Sequence, residues 1–277
     1  MHRVLIKFYK NSMQSKSNLT SKLAGQTIMV TRPVEQAQPL IELIESYSGS
    51  VYPFPVLEIV PLEDDSAAQT LFKNLEQFDI AIFISANAVR IGLSSIEHLP
   101  TSLQLAAVGK ATARALQAIG LNADIMPQHR FDSEGLLDTP ALTNVSGKKI
   151  IIIRGEGGRE LLATTLRERG AEVSYAETYR RVIPKRDPLP LIDKLKQESI
   201  SAIVVTSGQS LDNLIQIVSE TDENQIELLL QQQLIVISQR TAEIALERGF
   251  KQKPLLAEEP TDAAIVEELL RFTSDLK

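Results

Sequence analysis

The chain repeats itself, and the repeat limits its folds more than any other feature. Gly25-Gln-Thr-Ile-Met-Val-Thr-Arg32 lines up with Gly147-Lys-Lys-Ile-Ile-Ile-Ile-Arg154 at an offset of 122 residues. Each is a glycine, an apolar run and an arginine at its end. The same offset carries Val51 onto Val173 and Asp79-Ile-Ala-Ile-Phe-Ile-Ser85 onto Ser201-Ala-Ile-Val-Val-Thr-Ser207. Val108-Gly-Lys-Ala-Thr112 then matches Ile237-Ser-Gln-Arg-Thr241 at an offset of 129, and Gly120 and Gly249 follow in step. About seven residues have therefore been inserted, in the neighbourhood of residues 220–231. Matches that keep their order over two half-chains are the mark of a duplication.

Each copy reads as strand, helix, strand, helix, strand, helix, strand. The strands (Ile28–Thr31, Ile80–Ile84, Leu105–Val108, Ile150–Ile153, Ile203–Thr206, Leu234–Ile237) are short, unbroken and rich in Ile and Val. Such runs belong to parallel strands covered on both faces. Segments such as Thr112–Ile119 and Leu161–Arg169 have helical spacing and end near glycine. Alternating βα units give right-handed crossovers and doubly wound sheets. The expected fold is α/β, with two doubly wound parallel-sheet domains made from one duplicated unit; 277 residues are ample for two. Two proline-bearing stretches in equivalent places, 52–61 and 175–184, read as extended connectors. Together they form a two-stranded hinge at which the chain crosses between domains twice.

Composition removes several chemistries. Without cysteine there are no disulfides, iron–sulfur clusters or thiolate zinc sites. The three histidines, His2, His98 and His129, are too scattered to share a metal. A net charge of −6 argues against nucleic acid, and no apolar run approaches the roughly 20 residues that span a bilayer.

Ligands of parallel α/β sheets gather at the carboxyl ends of strands, over the helix N-termini that follow. Those ends are Thr31-Arg32-Pro33, Ser85-Ala-Asn87-Ala88, Gly109-Lys110-Ala-Thr112, Arg154-Gly155-Glu-Gly-Gly158-Arg159, Ser207-Gly208-Gln209-Ser210 and Ser238-Gln-Arg-Thr241. All are small, hydroxylated or cationic. Either they are helix caps and turns, or they offer N–H and O–H donors to a multiply anionic small molecule. Arg32 and Arg154, at the ends of buried strands, favour the second reading because guanidinium suits a carboxylate or phosphate. Gly155-Glu-Gly-Gly158 lacks both the Walker ending and the dinucleotide fingerprint, and there is no nucleophile elbow. Glu156 and Glu177 read as acid, base or surface charge. Tyr179 lies on the second connector, where its phenol either packs at the domain junction or donates to a departing hydroxyl.

Set side by side, Val30-Thr-Arg-Pro33, Ile84-Ser-Ala-Asn-Ala-Val-Arg90, Val108-Gly-Lys-Ala-Thr-Ala-Arg-Ala-Leu116, Arg154-Gly-Glu-Gly-Gly-Arg-Glu160, Glu177-Thr-Tyr-Arg180 and Val205-Thr-Ser-Gly-Gln-Ser210 resemble the uroporphyrinogen-III synthase family from about Gly25 to Leu270. The resemblance implies a cofactor-free and metal-free hydro-lyase that closes hydroxymethylbilane, a linear tetrapyrrole with many carboxylates, while inverting ring D. It implies a discontinuous domain of residues 25–54 plus 183–272, a second of 61–175, and linker strands at 55–60 and 176–182. Tyr179 matches the tyrosine that assists hydroxyl departure, and Ser85, Ser207 and Thr241 match positions lining the cleft. Gly208-Gln209 departs from the Thr-Ser-Pro-Ser pattern commoner there.

Two rivals explain parts of the pattern: a two-lobed anion-binding or sensor module, and an enzyme acting on a sugar or nucleotide phosphate at Gly155–Gly158. The expected state is a cytoplasmic monomer, in transient contact at most with the preceding enzyme of the pathway. Residues 1–24 are basic and free of acids. They read as a frayed extension, as the product of an early start ahead of Met13, or as an organellar transit peptide.

Overall fold

The structure, a computed structural model, describes residues 22–275 except 97 and 221–224. Most of the N-terminal extension thus lies outside the described residues. The first copy contains β1 (Thr27–Val30), α1 (Val34–Ser46), β2 (Ser50–Pro53), β3 (Glu58–Pro61), α2 (Ser66–Phe72), β4 (Ile80–Phe83), α3 (Ala86–Ser94), β5 (Gln104–Ala107), α4 (Lys110–Gln117), α5 (Ser133–Leu137) and α6 (Pro140–Thr143). The second contains β6 (Lys149–Gly155), α7 (Leu161–Glu168), β7 (Glu172–Val182), α8 (Leu189–Lys196), β8 (Ala202–Val205), α9 (Gly208–Ser219), α10 (Ile226–Leu230), β9 (Leu234–Val236), α11 (Gln239–Glu247), β10 (Leu255–Leu256) and α12 (Asp262–Asp275). The six expected strands are present, their ends shifted by at most two residues. The insertion between the copies is accounted for by the longer α9 and by α10, whose Leu229 and Leu230 are buried.

The strands form two five-stranded sheets, ordered β10-β9-β8-β1-β2 and β3-β7-β6-β4-β5. Every pairing among β1, β2, β8, β9 and β10, and among β4, β5, β6 and β7, is parallel. The described residues divide into one compact unit of 22–58 with 183–275 and another of 59–182. Neither unit is a copy of the repeat. In each sheet the first two strands of one copy (β1 and β2, or β6 and β7) are joined to later strands of the other (β8 and β9, or β4 and β5). The two sheets are thus equivalent assemblies, each built from both copies.

Alternate residues along each buried strand feed opposite cores. Met29, Ile203, Val205, Leu234 and Val236 pack with α8, α9 and α11, whereas Ile28, Val30, Val204 and Ile235 pack with α1 and α12. The second sheet behaves alike: Phe83, Ala107 and Ile153 face α2 and α3, while Ile80, Ile82, Ile150 and Ile152 face α7. Helices on both faces leave no polar side to a strand, which is why the sequence runs are unbroken. The backbone repeats as well: Gly25 and Gly147 have φ of +82 and +73, and Gly120 and Gly249 have +81 and +94.

The order β2-β1-β8-β9-β10 reverses between β1 and β8, and the equivalent reversal in the other sheet lies between β6 and β4. Such switch points open a crevice at the strands' carboxyl ends. The second connector, residues 175–184, lies largely inside β7: residues 172–179 pair with β6, from Lys149↔Glu172 to Gly155↔Tyr179, with an irregularity at Arg154/Gly155 that skips Thr178.

Candidate functional site

At the β6/β4 switch point the chain leaves β6 through Gly155 and passes residues 156–160 before α7 begins. Tyr179 of β7 lies across the start of this loop. A Cβ on Gly155 would come within 2.5 Å of Tyr179 Cε2, so only glycine leaves room for the ring. Tyr179 is 1% exposed. Its backbone carbonyl accepts from Glu156 N at 2.7 Å, and its hydroxyl meets Ser85 Oγ at 2.9 Å.

Arg154 sits under the same loop, with a side chain only 3% exposed. Its Nη1 donates to Glu160 Oε1 at 3.1 Å and its Nε to Gly155 O at 3.2 Å, with Glu177 Oε1 3.7 Å from Nε. The guanidinium lies 4.5 Å from the centre of the Tyr175 ring, and Tyr175 Oη donates to Glu160 Oε2 at 2.6 Å. Gly157 N donates to Glu177 Oε1 at 3.1 Å, closing the clasp from the other side. Gly157 and Gly158 take φ of +70 and +106, and a Cβ on Gly158 would stand 2.9 Å from Arg154 Nη2. The glycines are therefore set by Tyr179, by Arg154 and by backbone sign. A buried guanidinium must be met by charge and hydrogen bonds, and here the chain's own carboxylates do so. The Tyr175 hydroxyl, with Arg154 behind it, holds the Glu160 carboxyl below the usual carboxylate range. Burial, and then the Glu160 carboxylate, push the Tyr175 phenol up.

Beside this clasp is a cavity of about 270 Å³. Its floor is apolar (Ile84, Val108, Ile152, Leu162), and Tyr179, Arg154, Arg159 and Arg181 add polar groups. Arg159 is 73% exposed and only 4.0 Å from Glu134 Oε1. Tyr179, Arg154, Gly155, Gly158 and Arg159, read from the sequence as site residues, thus come together, and Ser85 joins them through Tyr179. Ser85 caps α3 by accepting from Ala88 N at 3.0 Å; Ala88 itself is fully buried. Asn87 accepts from Arg90 Nη2 at 3.3 Å, and Lys110 lies 4.4 Å over the Phe131 ring.

The other unit holds the remaining candidates. Arg32 is paired with Asp262 Oδ1 at 2.5 Å. Ser207 caps α9 through Ser210 N at 3.1 Å, and Thr241 is buried with its Oγ1 2.8 Å from Ser238 Oγ. A Cβ on Gly208 would meet Ile244 Cδ1 at 2.8 Å, whereas Gln209 is exposed. The serines cap, and at Ser207 and Ser238 the capping hydroxyl also meets the hydroxyl of Ser210 or Thr241.

Sequence reasoning missed Tyr175, Glu160 and Arg181. Arg181 had a signal, since it stands two residues beyond Tyr179 on a strand, where alternate residues share a face. Glu177, weighed as acid, base or surface charge, is instead committed to Gly157 N and Arg154. Among the described residues no group of histidine and carboxylate side chains could hold a metal, and no helix is long and apolar enough to cross a membrane.

Comparison with known proteins places the chain in a family. The family description "Uroporphyrinogen-III synthase HemD" matches residues 38–267. A uroporphyrinogen-III synthase of Escherichia coli K12 is 30% identical over 243 residues, covering 86% of this chain and 98% of that one. Among solved structures, a mutant uroporphyrinogen III synthase of Thermus thermophilus superposes with a TM-score of 0.59 at 18% identity, covering 90% of this chain and 99% of that one. The Helicobacter pylori 26695 uroporphyrinogen-III synthetase gives 0.57 at 17%, over 89% and 99%. The two structures share the fold, and the sequence match extends over most of both chains; the protein belongs to the uroporphyrinogen-III synthase family.

Proposed function

We infer that the chain is a uroporphyrinogen-III synthase, a cyclising hydro-lyase of tetrapyrrole biosynthesis that closes hydroxymethylbilane with inversion of ring D and release of water. The observation that carries this reading is the cavity at the β6/β4 switch point. An apolar floor suits a pyrrole face, Arg159 and Arg181 suit its acid side chains, and Tyr179 is among the residues that line it. Drug-sized ligands occupy roughly 300–1,000 Å³, so about 270 Å³ takes one ring and its substituents, not a whole bilane.

In this reading Tyr179 is the acid. Its proton passes to the terminal hydroxyl, which leaves as water with the electron pair of the broken carbon–oxygen bond. An electrophilic azafulvene-type carbon remains. Attack by the substituted carbon of ring D gives a spiro intermediate; the bond from that carbon to the methylene of ring C then breaks, the methylene bonds to the free α-carbon of ring D, and the proton lost from that α-carbon restores the phenol. In the unit of residues 59–182, Ser85, Asn87, Lys110, Gly155, Gly158 and Arg159 offer donors to acid side chains, while the buried Ala88 and the internally paired Arg154 shape the site from behind; Arg32, Ser207, Gly208, Gln209, Ser210 and Thr241 are the candidate donors of the other unit. Bringing two ends of one molecule together accounts for roughly 7–11 kcal/mol of a barrier. Residues 55–60 and 176–182 serve as the connections between the domains of 25–54 with 183–272 and of 61–175. The working state is a cytoplasmic monomer, meeting the preceding enzyme only in passing.

The test is to add purified protein to freshly made hydroxymethylbilane and separate the oxidised porphyrins by isomer. Dominant type III product is expected. Type I alone from folded protein, the outcome of spontaneous closure, would sink the reading and favour an anion-binding module.

A further inference from the structure

Three strands of the chain run into a serine that caps the next helix, and two of these dispose of the hydroxyl alike. Ser207 Oγ accepts from Ser210 N at 3.1 Å and lies 2.8 Å from Ser210 Oγ. Ser238 Oγ accepts from Thr241 N at 3.2 Å and lies 2.8 Å from Thr241 Oγ1. Ser85 caps α3 in the same way, but the residue three positions on is Ala88, which has no hydroxyl. Its hydroxyl meets Tyr179 Oη instead, at 2.9 Å and 94 residues away in sequence.

A hydroxyl has one proton to give and two lone pairs. One lone pair of Ser85 is taken by Ala88 N–H, and its proton has no local acceptor of the kind found at Ser207 and Ser238. Tyr179, for its part, is held by the packing of its ring over Gly155 and lines the cavity. We propose that Ser85 is the positioning residue for Tyr179: it donates its proton to the phenol oxygen, which turns the phenol's own proton toward the cavity. After that proton has gone to the departing hydroxyl, the phenolate keeps the Ser85 donor and lies beside the N-terminus of α3, where negative charge is favoured. The proton recovered at the end of the cycle returns to Tyr179, and Ser85 neither gains nor loses one. The assignment rests on the reading of Tyr179 as the acid.

A double-mutant cycle on the full-length protein, assayed with hydroxymethylbilane, tests it. Tyr179→Phe is expected to lower kcat on the order of 10²-fold, the usual contribution of a positioned acid. Ser85→Ala should lower kcat by about tenfold with little change in KM, and Ser85→Thr, which still caps and donates, should restore it. In the Tyr179→Phe background Ser85→Ala should change kcat by less than about twofold, because non-additivity is the signature of acting through a shared partner. Ala88→Ser offers Ser85 the local partner present at Ser210, and should lower kcat several-fold while the thermal midpoint is kept. Equal losses from Ser85→Ala in both backgrounds would reduce Ser85 to a cap and overturn the proposal. Full turnover in Tyr179→Phe would instead remove the reading of Tyr179 itself. Should Ser85→Ala fail to fold, Ala88→Ser decides, and an unchanged kcat there overturns the proposal.

Discussion

The two copies of the repeat differ where β1 passes into α1 and β6 into α7. Val34 corresponds to Glu156, so α1 begins directly after Pro33 while α7, starting at Leu161, begins five residues late in the same register. Both helices end at equivalent positions, Ser46 and Glu168. The missing turn is the loop 156–160. Glu35 and Gln36 of the first copy are replaced there by Gly157 and Gly158, whose positive φ a helix cannot contain. Even the first copy holds this turn weakly, since Pro39 inside α1 supplies no N–H. Unwinding a turn leaves space for the Arg154 side chain and for a cavity. Where the turn is kept, Arg32 reaches Asp262 on α12 instead. A duplicated scaffold has thus placed its phenol, its buried arginine and its cavity in one sheet by exchanging a single helical turn for glycines.

The largest effect should come from cutting the chain between the copies. Because β1 pairs with β8, and β4 with β6, residues 1–146 and 147–277 expressed separately should each lack cooperative unfolding by circular dichroism, and should regain it when mixed. A first half that unfolds cooperatively alone would show that a copy, not a sheet, is the folding unit.

Next in size is Gly155→Ala. Its Cβ would meet the Tyr179 ring at 2.5 Å, and forcing a packed ring aside costs about 1–3 kcal/mol. A lowered thermal midpoint together with lost turnover is expected. Unchanged turnover would mean that the ring is free to move and that its placement over Gly155 is not needed.

The smallest effect concerns pH. Glu160 is held below the usual carboxylate range, first by the Tyr175 hydroxyl and then by Arg154. Its contribution is therefore complete above the unfolded value, about 4.3, and is lost as pH falls through the lowered folded one. Tyr175 is displaced upward, so its contribution holds below about 10 and is lost as pH rises through the raised value. Thermal midpoints measured from pH 7 down to 3 should fall less steeply for Glu160→Gln than for the parent chain. Parallel curves would show that the clasp adds nothing to the folded state and that the glycine loop stands by backbone geometry alone.

Much of this could be read from residue order. Unbroken Ile and Val runs dictated buried parallel strands, the offset of 122 residues dictated a duplicated scaffold, and Arg154, Gly155, Gly158 and Ser85 stood out from their places at strand ends, Tyr179 from its place on a connector. Those are local properties, fixed by side-chain period and backbone freedom over a few residues. What only the tertiary structure decided is partnership. β1 joins β8 and not β4, although the two carry the same pattern, because strand choice depends on packing between distant segments and not on the strand itself. Arg154 is claimed by Glu160 and Glu177, and Ser85 finds Tyr179 because Ala88 offers it nothing nearer. A hydrogen bond spanning 94 residues leaves no periodic trace in the sequence; it exists only once the sheet has brought β4 and β7 to either side of β6.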